Sequence, residues 1–206
     1  MNLWEIENGC FEKGIRQVAG TDEAGAGPLA GPVYAGAVIL PPGLELPYLN
    51  DSKQVTAKRR EILFEQIKEQ AVAWAVACVE PAEIDALDIL NARMLAMQRA
   101  IDQLDPAPEY VLIDGNRDHG SRCAVTAPHE TVTKGDSRSA SIAAASILAK
   151  VTRDRLMDEM DALYPGYGFA KHKGYPTKAH YDALNRLGPS PIHRQSFLVK
   201  WREKRK

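Results

Sequence analysis

Apolar positions fall into five short runs and one clean helical stretch, and together they predict a mixed α/β fold. Runs at 15–22, 33–40, 72–79, 110–113 and 131–134 are rich in Val, Ile, Leu and Ala and short enough for strands. Between 88 and 104, Leu90, Met94, Met97, Ile101 and Leu104 recur at spacings of four and three, which predicts a helix with the two methionines in the core. Thr56 is placed to cap a helix running to about Gln70, with Leu63 and Ile67 on its inner face. A long stretch rich in Ala and Ser, about 138–162, predicts a helix able to pack closely on a sheet. From Pro165 onward, glycines and prolines break the pattern into short helical pieces. The first two strand runs, joined by the Gly/Pro-rich turn 25–32, read as a hairpin-like pair, and later strands alternate with helices. The expected architecture is a mixed five-stranded sheet with helices on its faces. One core over 1–163 and a C-terminal helical extension over 164–206, packed as a single unit, are expected.

With 206 residues, 45% hydrophobic and 26% charged, the chain has the composition of an ordinary globular domain. The longest apolar run, 32–42, is broken by Gly36 and is far short of the ~20 residues a membrane span needs. Glu5, Glu7 and Glu12 argue against a signal peptide. Cys10, Cys78 and Cys123 are odd in number and widely spaced, which suits free thiols in a reducing cytoplasm. No membrane contact and a monomer are expected.

Net charge is −1 overall but unevenly divided. Residues 165–206 hold ten Lys and Arg against Asp182 and Glu203, a net +8, and the remaining chain is −9. The same tail carries His172, His180 and His193. A positive segment on an acidic body suggests an anionic partner; the plainer alternative is a solvated basic tail.

Candidate chemistry lies where three apolar strands end in carboxylates next to glycine or one residue from it: Asp22-Glu23, Asp114 and Asp136. In α/β sheets, ligands collect beyond the carboxyl ends of strands. If 15–22 and 110–113 are neighbours and parallel, Asp22 and Asp114 meet. Clustered carboxylates repel unless a cation lies between them, and oxygen-only ligands favour Mg²⁺ or Mn²⁺. Each residue also has a plainer reading: an exposed strand end for Asp22-Glu23, a turn for Asp114-Gly115, an N-cap for Asp136. Adjacent strand residues point to opposite faces, so Asp22 and Glu23 share one site only if the chain bends there. Gly25–Ala30 matches a loose GxGxxG/A dinucleotide pattern, but two carboxylates before it, Pro28 within it and a strand after it rule that reading out.

The run Gly20-Thr21-Asp22-Glu23-Ala24-Gly25, followed by Gly27–Pro32, resembles the opening signature of the ribonuclease HII family. Asn50-Asp51-Ser52-Lys53, Ile113-Asp114-Gly115, Lys134-Gly135-Asp136, Ser141–Lys150 and His172–Thr177 resemble its later motifs, in order over about 15–200. The resemblance implies an RNase H-like fold and metal-dependent cleavage of RNA in RNA–DNA hybrids. It also implies incision 5′ to single ribonucleotides in duplex DNA, an entry step of ribonucleotide excision repair, leaving 3′-hydroxyl and 5′-phosphate ends. The family's four catalytic, metal-holding carboxylates fall on Asp22, Glu23, Asp114 and Asp136, with two Mg²⁺ or Mn²⁺ ions in the active complex. Its nucleic-acid contacts fall on Gly25, Ala26, Gly27, Ser52, Lys53, Lys150, His172, Lys173, Tyr175 and Thr177, with Tyr175 as the junction-sensing tyrosine and Lys53 as a phosphate contact. From its own surroundings Tyr175 could equally be a packing residue in a Gly/Pro loop. One residue departs from the family: Ala26 stands where Arg is usual, which predicts weaker substrate binding or turnover with the chemistry retained. Two rival readings are a catalytically impaired hybrid-binding protein and a metal phosphatase or other nuclease on the same broad fold.

Overall fold

The computed structural model describes residues 3–49, 52 and 55–203. Elements follow in the order α1 (Glu5–Glu12), β1 (Val18–Ala24), β2 (Val33–Ile39), α2 (Ala57–Gln70), β3 (Ala73–Val79), α3 (Pro81–Leu87) and α4 (Ile89–Ile101). Then come β4 (Tyr110–Asp114), β5 (His129–Val132), a 3₁₀ turn (Gly135–Ser137), α5 (Ala140–Leu163), α6 (Phe169–His172) and α7 (Lys178–Leu187). A 3₁₀ turn (Gln195–Leu198) and α8 (Val199–Glu203) close the described chain.

The five strands form one sheet in the order β3-β2-β1-β4-β5. β3, β2 and β1 are antiparallel neighbours, whereas β4 and β5 run parallel to β1. This is the mixed sheet that the sequence predicts, with β1 at its centre. The β1–β4 register sets Thr21 opposite Ile113, so the strand ends Asp22 and Asp114 lie side by side.

Strand alternation divides the core between two faces. Ala19, Ala35, Ala37, Ile39, Val111 and Ile113 pack with Met94 and Met97 of α4 on one face. Val38 packs with Ala144, Ala145 and Leu148 of α5, backed by Leu63 and Ile67 of α2, on the other. The Ala-rich helix α5 lies close enough to the sheet that only glycine fits beneath it. A Cβ at Gly20 would come within 2.2 Å of the Ser141 carbonyl carbon, and one at Gly36 within 2.4 Å of the Ala145 carbonyl oxygen. Gly36→Val must therefore lift α5 off the sheet. We expect it to cost about 3 kcal/mol, the upper end of ordinary overpacking, read as a lower urea midpoint with unchanged m.

Four features differ from the sequence reading. The sequence pattern shows neither α1 nor α3. α3 starts on Pro81, with the Glu83 carboxylate 3.5 Å from the Glu80 N–H in a capping box. β5 occupies His129–Val132 instead of 131–134, because Lys134 is left-handed (φ 56°) and the chain then turns through Gly135–Ser137. Asp136 is not the N-cap of α5; Ser139 is, accepting the Ile142 N–H at 3.2 Å. Among the described residues no helix is long and apolar enough to cross a membrane.

Candidate active site

Asp22 and Asp114 project from adjacent strand ends toward the α5 face, the side set by Gly20 and Leu112 two residues before each. Asp22 is buried and accepts a hydrogen bond from Ser146 on α5. The Ser146 and Ser52 hydroxyls lie 2.8 Å apart, extending that contact into a short hydroxyl chain. Burial, then the charges of Glu23 and Asp114, push the Asp22 carboxyl well above the usual carboxylate range.

Glu23 projects toward the opposite face, where Arg93 of α4 places Nε 2.8 Å from Glu23 Oε1 without hydrogen-bond alignment. Its other oxygen, Oε2, is buried and unpartnered. Burial raises the Glu23 carboxyl, Arg93 opposes that shift, and Asp114 adds to it. Asp114 Oδ1 accepts the Gly135 N–H at 2.7 Å. That bond fastens the 3₁₀ turn to the end of β4 and brings the next residue, the buried Asp136, to this edge of the sheet. Asp22, Glu23 and Asp114 thus lie within electrostatic reach of one another. Among the described residues no three Asp, Glu, His or Cys side chains are grouped closely enough to hold a metal ion by themselves. Mg²⁺ is commonly held by one or two carboxylates, with waters and substrate phosphates completing its shell. Buried oxygen-only donors, one of them unpartnered, fit that kind of ion.

Asp22 and Glu23 open into a cleft of about 300 Å³. Its wall includes the turn Gly25–Ala26–Gly27, Ser52 and Tyr175. Ser146, Lys150 and Arg153 complete it, at spacings of four and three along one face of α5. Lys150 is held by Asp154 at 2.6 Å, and Tyr175 is 43% exposed.

Six of the ten expected nucleic-acid contacts therefore share this cleft. Three others do not line it. His172 uses both ring nitrogens internally, toward Tyr167 O at 2.9 Å and the Gly174 N–H at 3.2 Å. The Lys173 ammonium is bound to Asp158 and to the Asp154 carbonyl. Thr177 Oγ1 caps α7 by accepting the His180 N–H at 3.2 Å. Lys53 lies outside the described residues.

Two buried arginines escape a reading of the sequence. Arg194, counted above in the basic tail, is completely buried and donates to the carbonyls of Gly31, Ala26 and Gly25 at 2.9, 2.9 and 2.6 Å. Arg153 is 1% exposed and donates to those of Pro32, Ala30 and Lys173 at 3.1, 3.2 and 3.1 Å. Together they grip the glycine turn from beneath. Gly25 has φ +95°, and a Cβ there would lie 2.0 Å from Arg153 Nε, so this corner requires glycine. Burial first, then neighbouring Arg153, lowers Arg194 to about 9, still above neutral pH, so the fork remains charged. The 4,3 spacing from Ser146 could have marked Arg153; nothing in the sequence marks Arg194.

A protein-family model described as Ribonuclease HII matches residues 19–200. Ribonuclease HII of Syntrophotalea carbinolica is 53% identical over 192 residues, covering 93% of this chain and 90% of the relative. Ribonuclease HII of Geobacter sulfurreducens is 51% identical over 195 residues, covering 95% and 88%. Among solved structures, ribonuclease H2 of Pyrococcus horikoshii superposes with a TM-score of 0.75 at 27% identity, covering 92% of this chain and 98% of the other. Bst-RNase HIII, solved in complex with Mn²⁺, has the same fold, with a TM-score of 0.63 at 19% identity over 88% of this chain and 67% of that one.

Proposed function

Since the chain belongs to the ribonuclease HII family and is a type 2 ribonuclease H, we propose that it cleaves RNA in RNA–DNA hybrids and incises 5′ to single ribonucleotides embedded in duplex DNA. The observation that carries this reading is the pairing of Asp22 and Asp114 at adjacent parallel strand ends, in a cleft that also holds the glycine turn and Tyr175. Asp22, Glu23, Asp114 and Asp136 would hold two divalent ions, Mg²⁺ or Mn²⁺. When bound, such ions supply an activated water and stabilise the leaving 3′-oxygen, which gives 3′-hydroxyl and 5′-phosphate ends.

The chain's own groups do the selecting. Arg194 takes the Gly25 and Ala26 carbonyls from below. Each trans peptide points its N–H opposite to its C=O, so the Ala26 and Gly27 N–H groups face away from Arg194, toward the cleft. They are placed to meet a ribose 2′-hydroxyl, the group that separates RNA from DNA. Lys150 supplies positive charge beside Asp22 for a backbone phosphate, and Tyr175 offers a flat face for the sugar or base at the junction. Asp22, whose charge is opposed by burial and by Glu23 and Asp114, gains from a neighbouring cation. This reading extends to a cytoplasmic monomer that acts on nucleic acid without a membrane.

The test is a panel of three duplexes: one embedded ribonucleotide, a continuous hybrid, and DNA alone. We expect cleavage of the first two, no cleavage of the third, and a 3′-hydroxyl at the incision. Binding without cleavage would instead favour the impaired hybrid binder, and cleavage of all-DNA duplex the other nuclease. Ala26 removes a charged donor at the turn whose backbone is otherwise held. Ala26→Arg should raise kcat/KM by about tenfold, the scale of one charge-assisted phosphate contact; no gain would mean that arginine is dispensable here.

A further inference from the structure

His172, His180 and His193 come together beneath the Tyr175 loop, and the hydrogen bonds that run through His193 and His180 have one direction. The Ser190 N–H points at His193 Nδ1 at 2.9 Å, so that nitrogen accepts and carries no proton. The proton of the neutral ring is then on Nε2, which lies 2.9 Å from His180 Nε2. His180 Nε2 must accept, so its own proton is on Nδ1, 3.0 Å from the Tyr175 carbonyl oxygen. Every link is fixed by the backbone N–H at the start. Both rings are buried, at 0% and 1% exposure, which favours their neutral forms and lowers both to about 4. His172 stacks on His180, with ring centroids 4.4 Å apart and planes 17° apart.

The two ends of this relay matter. At one end, His193 pairs with Ala30 in an isolated β-bridge and is followed by Arg194, which grips the glycine turn. At the other end is the main chain of Tyr175, whose carbonyl also accepts the Thr177 N–H at 2.8 Å. The Tyr175 ring in turn lies against Gly27, with Cε1 3.6 Å from where a Cβ would stand. The residues just before Tyr175, Lys173 and Gly174, both have positive φ, so the loop makes a tight corner there. We infer that His193 and His180 are positioning residues that fix Tyr175 relative to the Gly25–Gly27 turn, so that turn and tyrosine meet the ribonucleotide junction as one preformed surface. This inference rests on the reading of Tyr175 as a substrate contact. A contact held in place before binding avoids the cost of ordering a loop on binding.

Two measurements test it. In a double-mutant cycle on the single-ribonucleotide duplex, Tyr175→Ala should lower kcat/KM by about 5- to 150-fold, the worth of one stacked base. His180→Leu should lower it about tenfold, mainly through KM, and the double variant should be no worse than Tyr175→Ala. His180→Asn, whose amide donor replaces Nδ1–H, should recover most of the loss. Losses that multiply would overturn the inference and leave the tyrosine's role standing. An unchanged kcat/KM in Tyr175→Ala would overturn that role, and the inference with it. The second measurement needs no variant: ¹⁵N-resolved NMR of the intact protein should show His180 as the Nδ1–H tautomer and His193 as the Nε2–H tautomer. Either opposite assignment breaks the relay whatever the kinetics.

Discussion

Asp22→Asn should abolish hydrolysis while leaving the metal-free protein at least as stable as the parent at neutral pH. A change that removes one electrostatic group from a reacting site costs about 100- to 1000-fold. Asp22, central among the proposed metal ligands, should exceed that range. Stability moves the other way because the buried Asp22 charge is opposed by burial, by Glu23 and by Asp114. Its carboxyl pKa is higher in the folded protein than in the unfolded chain, so the folded state binds more protons over that interval. In metal-free buffer, Asp22 therefore makes the parent lose stability as pH rises above the ordinary carboxylate value toward the folded one. Asp22→Asn should lose that part of the slope. Thermal unfolding at pH 4 to 8 with a chelator, beside a cleavage assay at saturating Mg²⁺, checks both halves. Loss of stability at neutral pH together with full activity would contradict them.

Arg194→Ala should be the most damaging single change outside the carboxylates. It strands the carbonyls of Gly25, Ala26 and Gly31, which the guanidinium satisfies with no carboxylate among its hydrogen bonds. Each buried carbonyl left without its donor costs about 1–3 kcal/mol, so three cost at least about 3 kcal/mol, which for a chain of this size lowers Tm by at least about 6 °C. Below that Tm, kcat/KM should still fall, because the peptide planes of the turn are no longer held. Arg194→Lys should not rescue it: one ammonium cannot reproduce a planar fork aimed at three carbonyls. Calorimetry with single-turnover rates distinguishes this from a surface arginine, whose loss would leave Tm within about 1–2 °C, the equivalent of 0.5 kcal/mol.

The central sheet and the Asp22–Asp114 pairing are readable in the sequence because each rests on a local rule: an apolar run of strand length, a carboxylate at its end, a glycine within two residues of it. The α4 helix is equally readable from the spacing of Met94, Met97 and Ile101. What escapes has a physical reason in each case. α1 and α3 are too short to show a period; the start of α3 was marked only by Glu80, Pro81 and Glu83. Arg194 and Arg153 look like surface charge, since arginine is rarely buried, and only the folded turn brings three carbonyls to each. His180 and His193 are thirteen residues apart with no shared helical face, so nothing in their spacing announces a hydrogen bond. Glu23 shows a limit of a different kind: alternation sends it to the α4 face, where Arg93 waits from a helix about seventy residues away.

In the proposed function, these strand-end carboxylates work by holding divalent cations. The rate of incision at a single embedded ribonucleotide, followed as Mg²⁺ or Mn²⁺ is titrated into chelator-treated protein, measures this directly, with Asp114→Asn run alongside. The expected result is no product without metal, a saturable rise as either ion is added, and a flat trace for Asp114→Asn at every concentration. Product at full rate in excess chelator, or an Asp114→Asn trace that follows the parent, would contradict it.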